Sequence, residues 1–242
     1  MSAEPSRIPP PAAPLDAPIE QAGERERLLA GLWESNPALV QMLGLCPLLA
    51  ITTTVVNGFA LGLATAAVLL VTNSLISLLK GSIAPAVRIP LFVLIIASLV
   101  TCIDLLTNAF FDDLHQTLGL FIPLIVTNCA LLAQAETVAS RRPVHEAAVA
   151  GLAAGAGFLF VLVTLGALRE ILGRGTLLSG AAMLAGPGAE DWAVRLPFDG
   201  MLVAVLPPGA FFGLAALLAL RNLLQEHTAR VRERRAAQGR PS

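Results

Sequence analysis

Six stretches of about 20 largely apolar residues leave this chain few ways to fold. They fall at residues 37–56, 59–79, 89–108, 118–139, 147–172 and 201–224. An α-helix needs roughly 20 apolar residues to cross a hydrocarbon core about 30 Å thick. Lipid offers no partner to a backbone N–H or C=O, so each crossing must satisfy its own, and a helix does that. Hydrophobic residues make up 55% of the chain and charged residues only 14%, against about 25% charged in soluble domains. The sequence predicts an all-α, polytopic membrane protein of six transmembrane helices.

The segments outside that domain read differently. Residues 1–31 are expected to form a disordered cytosolic arm, with Pro9-Pro10-Pro11, Pro14 and Pro18 ahead of the charged run Glu24-Arg25-Glu26-Arg27. The N-terminal residues lack the apolar stretch of a cleavable signal peptide. Residues 28–36 are short and amphipathic, with Trp33 suited to the headgroup level. Residues 32–224 form the membrane domain, and 225–242 a basic cytosolic tail. The first turn is expected at Asn57-Gly58. The third connection is acidic (Asp112, Asp113), and the fifth, about 173–200, is glycine-rich and could dip into the interface near 177–184.

Charge placement sets the orientation. With a cytosolic N-terminus, the inner segments hold Arg7, Arg25, Arg27, Lys80, Arg88, Arg141, Arg142, Arg221, Arg230, Arg232, Arg234, Arg235 and Arg240. The outer connections hold Arg174 and Arg195, with Arg169 close to a helix end. By the positive-inside rule both termini face the cytosol. The basic tail then serves orientation and contact with membrane lipid; nucleic acid is not an expected partner.

Inside the apolar segments lies a weak repeat. Leu43-Gly44-Leu45-Cys46-Pro47-Leu48, followed by Thr52-Thr53-Thr54, is echoed by Leu118-Gly119-Leu120-Phe121-Ile122-Pro123-Leu124, followed by Thr127-Asn128-Cys129. Proline interrupts helices, so the first and fourth helices are expected to be broken. Three crossings separate the copies, which makes the halves, about 37–108 and 118–224, a 3+3 inverted-topology repeat. Such repeats place a shared site near the midplane. Cys46 lies about ten residues into its segment and Cys129 about twelve into its own. At 1.5 Å per residue both reach roughly 15–18 Å, and so converge in depth.

A free cysteine on an apolar helix usually acts as a small hydrophobe, and Cys102, without any such context, reads as helix packing. For Cys46 and Cys129 the repeat points to a metal or redox site, while a disulfide between them would be hard to reach by thiol exchange in mid-membrane. Iron–sulfur clusters take four ligands, usually thiolates, and tetrahedral zinc accepts the same set. Two thiolates are half a site, so a second chain or a second copy must complete it. Among the polar residues, Thr52, Thr53, Thr54, Thr127 and Asn128 are expected to bond cluster sulfurs or the freed backbone. Asp104 reads as either a coupling acid or an interfacial residue. Glu136 and Glu170 read as partners of nearby arginines. Gly151, Gly155 and Gly157 suggest close helix packing.

Five motifs in order carry a resemblance. Leu32-Trp33-Glu34-Ser35-Asn36-Pro37-Ala38-Leu39-Val40-Gln41 comes first, then Leu43-Gly44-Leu45-Cys46-Pro47 and Pro123-Leu124-Ile125-Val126-Thr127-Asn128-Cys129. Leu168-Arg169-Glu170-Ile171-Leu172-Gly173 and Leu206-Pro207-Pro208-Gly209-Ala210-Phe211 follow. Together they resemble the E-type subunits of the Rnf electron-transport complex, over residues 32–222. The related component of sodium-pumping NADH:quinone reductase typically lacks the proline after the cysteine. The resemblance implies a bacterial inner-membrane complex passing electrons between ferredoxin and NAD while moving ions. It further implies a homologous membrane partner of opposite topology, the A-type subunit, alongside the B, C, D and G subunits. Two cysteines from each of the pair would hold one [2Fe-2S] cluster, so Cys46 and Cys129 become the implied iron ligands here. The chain would do no catalysis alone. It departs from the family pattern at Gln134, where an arginine is usual. The competing class is a small inverted-repeat transporter of ions or solutes with no redox centre; a cofactor-free scaffold is the third reading.

Overall fold

A computed structural model describes residues 36–110, 112–179, 194–195 and 200–238, with side chains to residue 227. The expected N-terminal arm and most of the fifth connection lie outside these residues. The chain opens with a turn in which buried Asn36 accepts from the N–H groups of Ala38 and Leu39 at 3.0 and 3.2 Å. Then come α1 (Leu45–Ile51) and α2 (Val55–Leu79), a 3-10 turn (Pro85–Val87) leading into α3 (Arg88–Phe110), and α4 (Asp112–Leu118). A second 3-10 turn (Ile122–Ile125) precedes α5 (Cys129–Gln134), which passes directly into a π-helical turn (Ala135–Ala139). The long α6 (Val144–Arg174), the four-residue α7 (Leu202–Val205) and α8 (Pro207–Gln238) complete the order. A two-residue antiparallel ladder pairs Thr176 with Arg195 and Leu177 with Val194.

The element order repeats itself: a broken segment, a long central helix and a peripheral helix, twice over. The central helices α2 and α6 pack antiparallel along their full length. A Cβ on Gly58 would lie 2.8 Å from the Leu162 carbonyl, one on Gly155 2.7 Å from the Ala66 Cα, and one on Gly151 2.9 Å from the Leu69 carbonyl. Further along, the Asn73 amide donates to the Ala147 carbonyl, and the Ser77 hydroxyl to that of Arg142. Small residues let two backbones approach this closely. Opposed central helices are what an inverted repeat requires. Half of the most apolar window of α2 and of α6 is buried, against 17% for α3 and 22% for α8. The peripheral pair therefore shows most of its apolar surface outward, with Phe110 and Phe212 both well exposed.

Five helical stretches among the described residues are long and apolar enough to cross a membrane: Val55–Leu79, Pro85–Phe110, Ile122–Ala139, Val144–Arg174 and Pro207–His227. The first predicted crossing, 37–56, contributes only the seven residues of α1, about 10 Å of helix. Its start meets α6 halfway, where the Asn36 amide donates to the Gly157 carbonyl at 2.9 Å. Its end meets the far part of α6, where Glu170 accepts from the Val55 N–H at 2.8 Å. The thirteen residues between these levels correspond to roughly 20 Å of rise.

Several local expectations change. Asn57-Gly58 makes no turn; both residues lie in the first turn of α2, where the Thr54 hydroxyl accepts from the Asn57 N–H. The break comes earlier, at residues 52–54, where the Thr52 hydroxyl donates to the Leu48 carbonyl. Pro47 and Pro123 do not interrupt running helices. Each sits in the first turn of its short element, where a missing N–H deprives no helical bond. The acidic third connection is helical, as α4. The sixth segment is also broken, at Leu206, and α8 continues as one helix to Gln238 through most of the basic tail.

Candidate metal centre

The two cysteines do not match within the repeat, Cys46 preceding its proline and Cys129 falling six residues after its own, yet each lies at the start of a short helix. Cys46 is the second residue of α1, after Gly44 in the left-handed conformation (φ 75°). Cys129 is the first residue of α5, whose entry Asn128 caps by accepting from the Ala130 N–H at 2.9 Å. The two segments meet where the Gly44 N–H donates to Cys129 Sγ at 3.0 Å. Cys129 therefore lies against the entry of α1, two residues from Cys46. Gly44 also abuts Phe158, the midpoint of α6: a Cβ there would be 2.8 Å from its ring and 2.9 Å from Asn128 Oδ1. Both thiols are free and exposed at the chain's surface.

That donor set fits half of a thiolate-ligated cluster. Both sulfurs are exposed, Cys129 lies against the entry of the helix that carries Cys46, and a backbone N–H bonds one of them; hydrogen bonds to ligating sulfurs tune such centres. Among the described residues no group of three or more His, Cys, Asp or Glu could hold a metal alone. A four-thiolate cluster on Cys46 and Cys129 would need its other two ligands from a second chain.

The neighbouring polar residues mostly serve the broken backbone. Thr52 and Thr54 bond the ends of α1 and α2, and Thr127 donates to the Leu124 carbonyl. Asn128 is 1% exposed and its Nδ2 has no partner. Gln134, 8% exposed, likewise leaves Oε1 unpaired at the step from α5 into the π turn. Asp104 Oδ1 lies 3.4 Å from His115 Nε2 without hydrogen-bond alignment, tying α3 to α4. Cys102 is exposed on α3 rather than packed in the interior.

The arginine–glutamate readings need correction. Exposed Glu136 has no ion-pair partner among the described residues. Glu170, fully buried, pairs with backbone instead of with arginine: its carboxylate accepts from the N–H groups of Val55 (2.8 Å) and Ser179 (2.6 Å). Arg169, 2% exposed, reaches the opposite way. It donates to the carbonyls of Leu49 (3.3 Å), Ala204 (3.2 Å), Val205 (2.6 Å) and Leu206 (3.4 Å), and to the Thr52 hydroxyl (2.8 Å). One guanidinium thus holds the C-terminal ends of both α1 and α7. The sequence signal was a charged pair two to three residues from the end of an apolar segment; its partners, being carbonyls, left no mark.

A cavity of about 410 Å³, mainly apolar in lining, lies among Ile51, Thr53, Thr54, Asn57, Phe121 and Arg174. It sits at the Val55 end of α2, away from the mid-depth level of Phe158, so it does not supply the midplane ligand site a polar-solute transporter would need.

Fold and site together define a class: a polytopic, all-α membrane protein with an exposed cysteine at the start of each of two short helices. The profile of a family described as "Rnf-Nqr subunit, membrane protein" matches residues 25–218, so the chain belongs to the Rnf-Nqr family. Similar relatives include proteins named as the E subunit of an ion-translocating oxidoreductase complex. That of Thioalkalivibrio sulfidiphilus is 52% identical over 88% of this chain and 93% of its own length. That of Pseudomonas paraeruginosa is 49% identical, covering 87% and 89%, and that of Haemophilus ducreyi 51%, covering 82% and 88%.

Proposed function

We propose that this chain is a membrane component of an Rnf-type, ion-translocating ferredoxin:NAD oxidoreductase in the bacterial inner membrane, with both termini cytosolic. Cys46 and Cys129 supply two of the four thiolates of a [2Fe-2S] cluster, and the homologous A-type subunit supplies the others; the B, C, D and G subunits complete the assembly. The names of its relatives and its family support the complex. The observation that supports the cluster is the Gly44–Cys129 contact, which brings one exposed thiol against the entry of the helix that carries the other.

When bound, the cluster would accept and release single electrons. The chain's own work is to hold two sulfurs at fixed separation, to bond one of them from the Gly44 N–H, and to exclude water with Phe158 behind them. Asn128 fixes the entry of α5 and hence the position of Cys129.

The test is low-temperature EPR with iron quantitation on the intact complex. Cys46→Ser and Cys129→Ser should each abolish a reduced [2Fe-2S] signal and lower the iron content, while Cys102→Ser leaves both unchanged. Survival of the signal in both variants would end this reading and favour the transporter.

A further inference from the structure

We infer that Arg169 is a positioning residue for the redox centre, supplying the buried positive charge that raises its reduction potential. The inference rests on the cluster reading above. A charge buried within a membrane helix is costly and marks function by default. Here the cost is met without a carboxylate. All five hydrogen-bond acceptors of the guanidinium are neutral: the carbonyls of Leu49, Ala204, Val205 and Leu206, and the Thr52 hydroxyl. Glu170, the next residue, turns both carboxylate oxygens away, toward the N–H groups of Val55 and Ser179. The two charges are therefore side by side in sequence but separated in space, and the positive one faces α1.

Distance decides the effect. Leu49, which Arg169 holds at 3.3 Å, is three residues beyond Cys46 in α1. One helical turn plus side-chain length puts guanidinium and sulfur roughly 10 Å apart. When one electron arrives from a low-potential iron–sulfur or flavin donor, with no proton transferred, the site gains one negative charge. At that distance, and with the effective dielectric of buried sites, a unit positive charge favours the reduced form about tenfold. The carbonyl ends of α1 and α7 offset part of this, because helix C-termini carry partial negative charge. Their role is to anchor the guanidinium. They also make Arg169 the strut that fixes the far end of the helix whose entry bears Cys46.

The experiment is an EPR-monitored redox titration of the intact complex with Arg169→Gln, Arg169→Lys and Glu170→Gln. Arg169→Gln should lower the midpoint potential by about tenfold in the reduction equilibrium, 59 mV for a one-electron couple. Arg169→Lys, which keeps the charge but not the fork of donors, should stay within about threefold of the native equilibrium. Glu170→Gln, which removes the opposite charge, should shift the potential upward, by less. The glutamate variant decides the matter if Arg169→Gln does not assemble. An unchanged potential in Arg169→Gln, or a downward shift in Glu170→Gln, would overturn the inference by making both residues purely structural. Absence of any [2Fe-2S] signal sensitive to Cys46 and Cys129 in the native complex would instead overturn the cluster reading beneath it.

Discussion

Gly44 has no side chain, and that absence lets the two cysteine-bearing segments touch. Its φ of 75° costs an L-residue about 1–2 kcal/mol. The space a Cβ would take is already held by Phe158 and Asn128, at 2.8 and 2.9 Å. Gly44→Ala is therefore expected to lower the thermal midpoint of the purified complex and to remove most of its [2Fe-2S] EPR signal, although no sulfur has been changed. An alanine variant with native iron content and midpoint would show that the contact is dispensable. At this scale the sequence was partly legible. Cys46 and Cys129 stood out because a repeat and two prolines framed them. The bond between Gly44 and Cys129 joins residues 85 apart, and no local pattern encodes that. Arg169 stood out as a charge, but its acceptors are main-chain carbonyls, identical at every residue.

Between elements, the tightest relation is the antiparallel packing of α2 on α6. Gly155→Val would press a branched side chain against the Ala66 backbone, 2.7 Å from where its Cβ would fall. Overpacking of this kind costs about 1–3 kcal/mol. The expected result is a lowered thermal midpoint and poor recovery of the complex in size-exclusion chromatography. Gly81→Ala is the control, since nothing lies within 4 Å of its Cβ position, and it should behave as native. The small residues of α6 announced this packing in the sequence. The same residue type misled at Asn57-Gly58, a strong turn signal in isolation. There Thr54 caps the helix start and Gly58 faces the Leu162 carbonyl, so close approach is what the glycine serves. The prolines misled similarly: their spacing said that helices were broken, but not that each proline begins the piece after the break.

For the whole molecule, the inverted repeat and the charge asymmetry were the most legible features, because both are sums over many residues. The asymmetry predicts that green fluorescent protein fused after Ser242 will fluoresce and that alkaline phosphatase fused there will be inactive. The opposite pair of results would reverse the assigned orientation. On the same assignment Gln116, exposed on α4, should face the other side. A Gln116→Cys variant in a Cys102→Ser background should react with a membrane-impermeant maleimide added to intact spheroplasts. Residue counting put the two cysteines at a common depth, but not the contact through which their segments meet. Gly44, and with it the Cys129 sulfur, sits level with Phe158, halfway along a 31-residue helix. A hydrocarbon core of about 30 Å is thereby divided into two legs of roughly 15 Å. An electron resting at that level would meet the barrier of the bilayer in halves rather than in one step.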